Sequence, residues 1–112
     1  ARTINNAMID VHKHFQGKDG IKLIHITGNG EYTSVLEKLG INDGSGLGES
    51  SLILPYLHDM PKALAATDLA VFRSGAIGLA ELAVRGIPSV LVPLPYSAEY
   101  HQTYNARIFV QE

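Results

Sequence analysis

Apolar residues recur at helical spacing from the start of the chain, at Ile4, Met8, Val11 and Phe15, which predicts an amphipathic first helix. Residues 17–20, bounded by glycines, read as a turn, and residues 21–27 as a strand that Gly28-Asn29-Gly30 breaks. Helical spacing returns over residues 32–39 and stops at Gly40. Residues 42–51 hold three glycines and three serines and read as a surface loop, because the apolar run Leu52-Ile53-Leu54 follows at once as a strand. Beyond it the pattern predicts a helix over about 60–66 with Pro61 in its first turn, a strand over 69–72 and a helix over about 76–85. Gly86, a strand over 87–92, a loop rich in Pro and Tyr, and a last helix from about Tyr100 to the final residues Gln111-Glu112 complete the chain. Four strands alternating with five helices imply an α/β fold with a parallel sheet covered on both faces. Ligands of such sheets bind beyond the carboxyl ends of the strands, where the loops after Thr27, Leu54, Phe72 and Val92 are expected to converge.

The segment from Thr67 to Glu81 is the richest in chemistry. Leu69 to Phe72 suits a doubly covered strand, and Ser74-Gly75-Ala76 is too small to keep a ligand from the backbone amides that follow. The first amides of a helix have no intrahelical partner, and with the helix dipole they favour an anion by roughly 0.3–1 kcal/mol when exposed and about 2 when partly buried. A phosphate or diphosphate fits there. With Ser74 as N-cap, a capping-box carboxylate would stand at Ile77, so Glu81 lies a turn too deep to cap. Ser74, Gly78 and Glu81 fall on one helical stripe, while Leu79, Leu82 and Ala83 fall on another able to pack on a sheet. Bare Gly78 above a carboxylate leaves a notch for a sugar whose vicinal hydroxyls donate to Glu81, each bond being worth roughly 1.5–3 kcal/mol. An ordinary solvated helix glutamate satisfies the same spacing, and both readings stand.

Composition narrows the class. The 112 residues amount to one domain, residues 1–112, with 46% hydrophobic and 18% charged residues, as in a globular protein with a real core. A formal net charge of −2 and scattered Lys and Arg leave no basic stripe, so nucleic acid is not an expected partner and a phosphate must be held mainly by backbone dipoles. The absence of cysteine excludes disulfide and thiolate chemistry and is compatible with a cytoplasmic location. No apolar run approaches a membrane-spanning length and no signal peptide is visible. Because the chain starts with Ala1 inside a helical pattern and stops inside another, both ends read as cut from something longer.

Other signals are weaker. Gly28-Asn29-Gly30 lacks the third glycine of a dinucleotide loop and reads as a plain strand-to-helix turn, and no Walker-type motif is present. The five histidines show no metal spacing; His12 and His14 point to different sides of a helix, His25 sits in an apolar strand, and surface or hydrogen-bonded structural roles suit them. Ser74 is no hydrolase nucleophile, since the G-x-S-x-G nucleophile elbow is missing around it. His101-Gln102 follows the last strand, with donors and acceptors suited to sugar hydroxyls or simply to a polar helix start.

Leu57-His58-Asp59-Met60, Thr67-Asp68, Arg73-Ser74-Gly75-Ala76 with Glu81 eight residues after Arg73, the run from Gly86 to Pro93, and His101-Gln102 with Asn105-Ala106 resemble, in this order and spacing, the carboxy-terminal domain of the MurG glycosyltransferases. The resemblance covers nearly the whole chain, and Ala1 fits the residue closing that family's Gly-Gly-Ser-x-Gly-Ala loop. It implies the Rossmann-like carboxy-terminal half of a two-domain GT-B enzyme that moves N-acetylglucosamine from UDP-N-acetylglucosamine (UDP-GlcNAc) to lipid I in peptidoglycan synthesis. The implied roles are Leu57 at the uracil, the Ser74-Gly75-Ala76-Ile77-Gly78-Leu79-Ala80 segment at the diphosphate, Glu81 at the ribose, and Gln102 with His101 at the N-acetylglucosamine. Arg73 is implied to pair with a phosphate of donor or acceptor. Gly78 departs from the family, where a threonine is frequent, which removes one hydroxyl contact.

The resemblance further implies that no catalytic residue lies in this chain. The general base, the acceptor site and the membrane-facing patch belong to an amino-terminal domain, at the cytoplasmic face of the bacterial inner membrane. No metal and no cofactor are implied, UDP-GlcNAc being the donor substrate. Two other readings share the nucleotide notch: another GT-B member, such as a glycolipid synthase or the donor-binding subunit of a two-chain transferase, and a non-catalytic nucleotide-binding module.

Overall fold

A computed structural model describes residues 2–73, 79–92 and 109–111. The chain falls into two compact units, the first extending to Leu57 and the second from His58. Each is an α/β arrangement of parallel strands and helices.

In the first unit, helix α1 (Arg2–Phe15), strand β1 (Leu23–Ile26), helix α2 (Tyr32–Leu39) and strand β2 (Ser51–Leu54) follow in order. β1 and β2 pair in parallel, Leu23 opposite Ser51 and Ile26 opposite Leu54. Helix α2 has the bounds its spacing predicts, because Gly40 adopts φ 72° and its left-handed turn lets the Gly40 and Ile41 amides reach back to Glu37 and Leu36. Ile9 of α1, Val35 and Leu36 of α2, Leu47 of the loop before β2 and Ile53 of β2 make a closed apolar core, with Tyr32, Leu39 and Ile41 against it. At roughly 1.5–3 kcal/mol per buried large aliphatic side chain, this cluster is what holds the helices to the strand pair.

The loop over residues 42–50 is more than a surface connection. Gly44 and Leu47 are buried, and the Ile53 amide donates to the Gly44 carbonyl at 2.9 Å, so the loop caps the edge of β2. A Cβ on Gly44 would stand 1.8 Å from the Ile53 carbonyl oxygen, which explains the residue chosen there. Asp43 braces the turn by accepting from the Ser45 amide at 2.9 Å and its hydroxyl at 2.7 Å, bonds that hold its carboxyl below the usual range.

The buried side of α1 differs from the predicted stripe. Ile4 and Met8 are buried as expected, but Val11 and Phe15 are only half-buried, and Asn5, Ile9 and His12 take the inward positions. Two polar residues can face inward because β1 and β2 present polar partners. His25 donates to Asn5 Oδ1 at 2.7 Å, His12 and His25 are joined between Nε2 and Nδ1 at 3.0 Å, and the Ser51 hydroxyl lies 3.2 Å from His12 Nδ1. Asn5 Nδ2 donates to the Thr27 carbonyl at 3.1 Å. The two rings are nearly coplanar, 20° apart. Asn5, His12, His25 and Thr27 have no solvent exposure. Burial lowers His12 to a pKa of about 4, and burial together with its neighbour lowers His25 to about 3. The expectation of hydrogen-bonded structural roles therefore holds for these two, while His14 is exposed.

In the second unit, helix α3 (Met60–Ala65) leads to strand β3 (Ala70–Arg73), helix α4 (Leu79–Arg85), strand β4 (Ser89–Val92) and strand β5 (Phe109–Gln111). Asp59 caps α3 by accepting from the Lys62 amide at 3.1 Å, and Pro61 stands in its first turn as predicted. β3 pairs in parallel with β4, Ala70 opposite Ser89, and with β5, Val71 opposite Val110. Leu64, Leu69, Ala70, Phe72 and Leu82 are buried. One prediction is corrected at residues 109–111, expected within the last helix; residues 100–108 of that expected helix lie outside the described residues. Phe109–Gln111 is a strand, its aromatic and β-branched residues favouring extension once the edge of β3 offers a ladder of partners.

Candidate functional site

Helix α4 carries the carboxylate on which the sequence reading turns. Arg73 closes β3 opposite Val92 and is half-buried. Ser74, Gly75, Ala76, Ile77 and Gly78 lie outside the described residues, as do His101 and Gln102. Leu79 and Ala80 open the described helix and Glu81 stands in its first turn.

The described buried stripe of α4 is narrower than expected. Leu82 is 3% exposed, while Val84 is 84% exposed and Ala83, expected beside Leu82 against the sheet, faces out as well. A step of one residue turns the helix by about 100°, so a seven-residue helix anchored on Leu82 leaves Ala83 outside. Gly86 ends it at φ 69°, with the Gly86 and Ile87 amides returning to Ala83 and Leu82.

Glu81 sits at the boundary between interior and solvent, with its side chain 44% exposed. Arg85, one turn on, donates from Nε to Glu81 Oε2 at 2.6 Å. The i, i+4 spacing of the two residues is the sequence signal of this pair. The bond is charge-assisted and engages one carboxylate oxygen, Oε2. A carboxylate so held can accept from two vicinal hydroxyls, and the positive guanidinium beside it offsets the repulsion a nearby phosphate would exert.

Leu57 ends the first unit. It follows β2 by three residues and is half-buried. Among the described residues, no three His, Asp or Glu side chains gather as a metal site. The group that the sequence reading missed is the buried chain from Asn5 to Ser51. Its signal was available, since Asn5 and His12 interrupt the apolar stripe of α1 seven residues apart and His25 interrupts an apolar strand.

Comparison with known proteins places these features in a lineage. The family described as glycosyltransferase family 28 C-terminal domain matches residues 1–112. A protein of Desulfitobacterium hafniense strain Y51, named UDP-N-acetylglucosamine–N-acetylmuramyl-(pentapeptide) pyrophosphoryl-undecaprenol N-acetylglucosamine transferase, is 47% identical over 107 residues, covering 96% of this chain and 29% of its own length. Proteins of the same name from Halothermothrix orenii and Moorella thermoacetica are 41% and 40% identical, covering 96% and 100% of this chain and 29% and 30% of their own lengths. The chain thus spans less than a third of each of these relatives. No solved structure matches it significantly.

Proposed function

The chain belongs to the glycosyltransferase family 28 C-terminal domains, and from that premise we propose that it is the donor-binding part of an enzyme that transfers N-acetylglucosamine from UDP-GlcNAc to lipid I in peptidoglycan synthesis. One observation carries the reading: relatives named for that transfer are 39–47% identical over nearly the whole of this chain. UDP-GlcNAc is a substrate in this reading, and neither metal nor cofactor takes part.

The residues divide the donor by chemistry. Leu57 presents backbone groups and an apolar side chain to the uracil. The backbone over Ser74-Gly75-Ala76-Ile77-Gly78 and the Leu79 and Ala80 amides meet the diphosphate, with Arg73 available to a phosphate oxygen. Glu81, paired with Arg85, accepts from the ribose hydroxyls. His101 and Gln102 contact the N-acetylglucosamine.

Inverting transfer also needs an acceptor hydroxyl held in line behind the anomeric carbon and deprotonated as it attacks. Those tasks fall to the amino-terminal domain of the full-length enzyme, which works on lipid I at the cytoplasmic face of the membrane. Among the described residues no helix is long and apolar enough to cross a membrane. The 112 residues alone are expected to show no transferase activity.

Calorimetric titration of the full-length protein with UDP-GlcNAc, UDP-glucose and UDP-galactose tests the reading. Selective binding of UDP-GlcNAc is the expected result. A preference for another hexose would move the protein to a different GT-B activity, and failure to bind any uridine nucleotide would leave a non-catalytic module.

A further inference from the structure

The buried polar chain of the first unit can be read in one direction only. Asn5 Nδ2 donates to a carbonyl, that of Thr27, so Asn5 Oδ1 is the acceptor and takes the proton on His25 Nε2. His25 Nδ1 is then bare and accepts from Nε2–H of His12. His12 Nδ1 in turn accepts from the Ser51 hydroxyl. Each ring is neutral and confined to one tautomer, and each polar atom along the path has its partner.

Stability alone does not call for such a chain, because replacing both members of a buried hydrogen bond by apolar groups of the same shape is close to neutral. What a satisfied polar chain adds is a single permitted arrangement, since any slip leaves a donor or acceptor unpaired in a closed interior. The place where this chain ends shows what is being fixed. Thr27 follows the last residue of β1, its amide donates to the Leu54 carbonyl at 2.9 Å, and its hydroxyl reaches the Gly28 carbonyl at 2.8 Å and that of Leu54 at 3.4 Å. Leu54 is the last residue of β2, three residues before Leu57. The chain thus runs from Ser51, at the start of β2, to Asn5, which holds the end of β1 at Thr27, and Thr27 in turn holds Leu54, from which the Leu57 segment departs.

We propose that Asn5, His25, His12 and Ser51 are positioning residues that set the base selectivity of the nucleotide contact at Leu57 by fixing the Thr27 and Leu54 strand ends. The inference rests on the donor-binding reading given above. Backbone groups can tell uracil from cytosine only if their donors and acceptors are held in register with the base edge, and displacement by a fraction of an ångström blurs that distinction before it abolishes binding.

The test titrates the full-length protein, as wild type, Asn5→Ala and Ser51→Ala, with UDP and with CDP by calorimetry, each sample being checked for folding by circular dichroism. Asn5→Ala removes both bonds at the Thr27 end; UDP affinity is expected to fall about tenfold and the UDP-to-CDP ratio to fall with it. Ser51→Ala opens the remote end and leaves the Asn5–Thr27 bond in place, so a smaller fall in the same ratio is expected. A purely structural role would lower the melting temperature and leave the ratio of the folded protein unchanged, and an unchanged ratio in folded Asn5→Ala overturns the inference. Should that variant not fold, an unchanged ratio in Ser51→Ala overturns it instead. A wild type that binds neither nucleotide removes the donor-binding reading and this inference together, whereas binding that is insensitive to both variants removes this inference alone.

Discussion

The interior of the first unit and the exposed side of α4 both carry charged or titratable groups joined by short hydrogen bonds, yet the bonds do opposite work. His12 and His25 have no solvent exposure and are held neutral, so a lost partner there leaves a polar atom stranded. Glu81 and Arg85 are 44% and 31% exposed, so water can replace either partner at little cost. The lesson is one of availability: polar groups closed off from water specify the frame, while polar groups at the surface remain free to exchange partners, which a ligand contact must do.

Acid should break this contrast most strongly. Both histidines have folded pKa values lowered from 6.5, to about 4 and about 3, so the unfolded chain binds more protons below pH 6.5 and stability falls with pH. Their contribution is fully present above pH 6.5 and is lost as pH drops toward the folded values. At about 1.4 kcal/mol per pH unit for each group, the pair should lower the unfolding free energy by about 4 kcal/mol between pH 8 and pH 5. Urea unfolding at a series of pH values measures this, and a flat profile over that range would refute the neutral pair.

His12→Ala comes next. It strands the Ser51 hydroxyl and His25 Nδ1 and leaves a cavity, and a loss of about 3 kcal/mol in the urea midpoint analysis is expected. Gly44→Ala tests the loop that closes this interior: with its Cβ driven into the Ile53 carbonyl, the loop must shift, at about 1–3 kcal/mol. Arg85→Ala should have the smallest effect, below about 1 kcal/mol in thermal unfolding, because an exposed i, i+4 pair adds little to the fold. A large destabilisation by Arg85→Ala would erase the difference between the two regions.

Much of the frame could be read from spacing. Gly40 stops α2, Pro61 marks the first turn of α3 and Gly86 ends α4, and at each of these positions local backbone chemistry decides the outcome. Where tertiary partners decide, the reading faltered. The inward side of α1 rotates toward Asn5 and His12 because His25 and Ser51 wait for them; the breaks in the apolar stripe mark the two polar residues, but not which residues of β1 and β2 partner them. Phe109–Gln111 joins β3 as a strand although its local spacing reads as helix. At the candidate site, the position of Glu81 on a helix is legible from Gly78 and Leu82, whereas its pairing with Arg85 comes from the structure. The small-residue segment and His101-Gln102 rest on the family resemblance.

The central claim is that Glu81 holds the ribose of a uridine nucleotide, and UDP-GlcNAc binding by full-length wild type and Glu81→Ala tests it most directly. Loss of hydrogen bonds to a charged acceptor predicts binding weaker by about ten- to a hundredfold, with the melting temperature little changed. Unchanged affinity in a folded Glu81→Ala protein would contradict the account and return Glu81 to the role of an ordinary surface glutamate paired with Arg85.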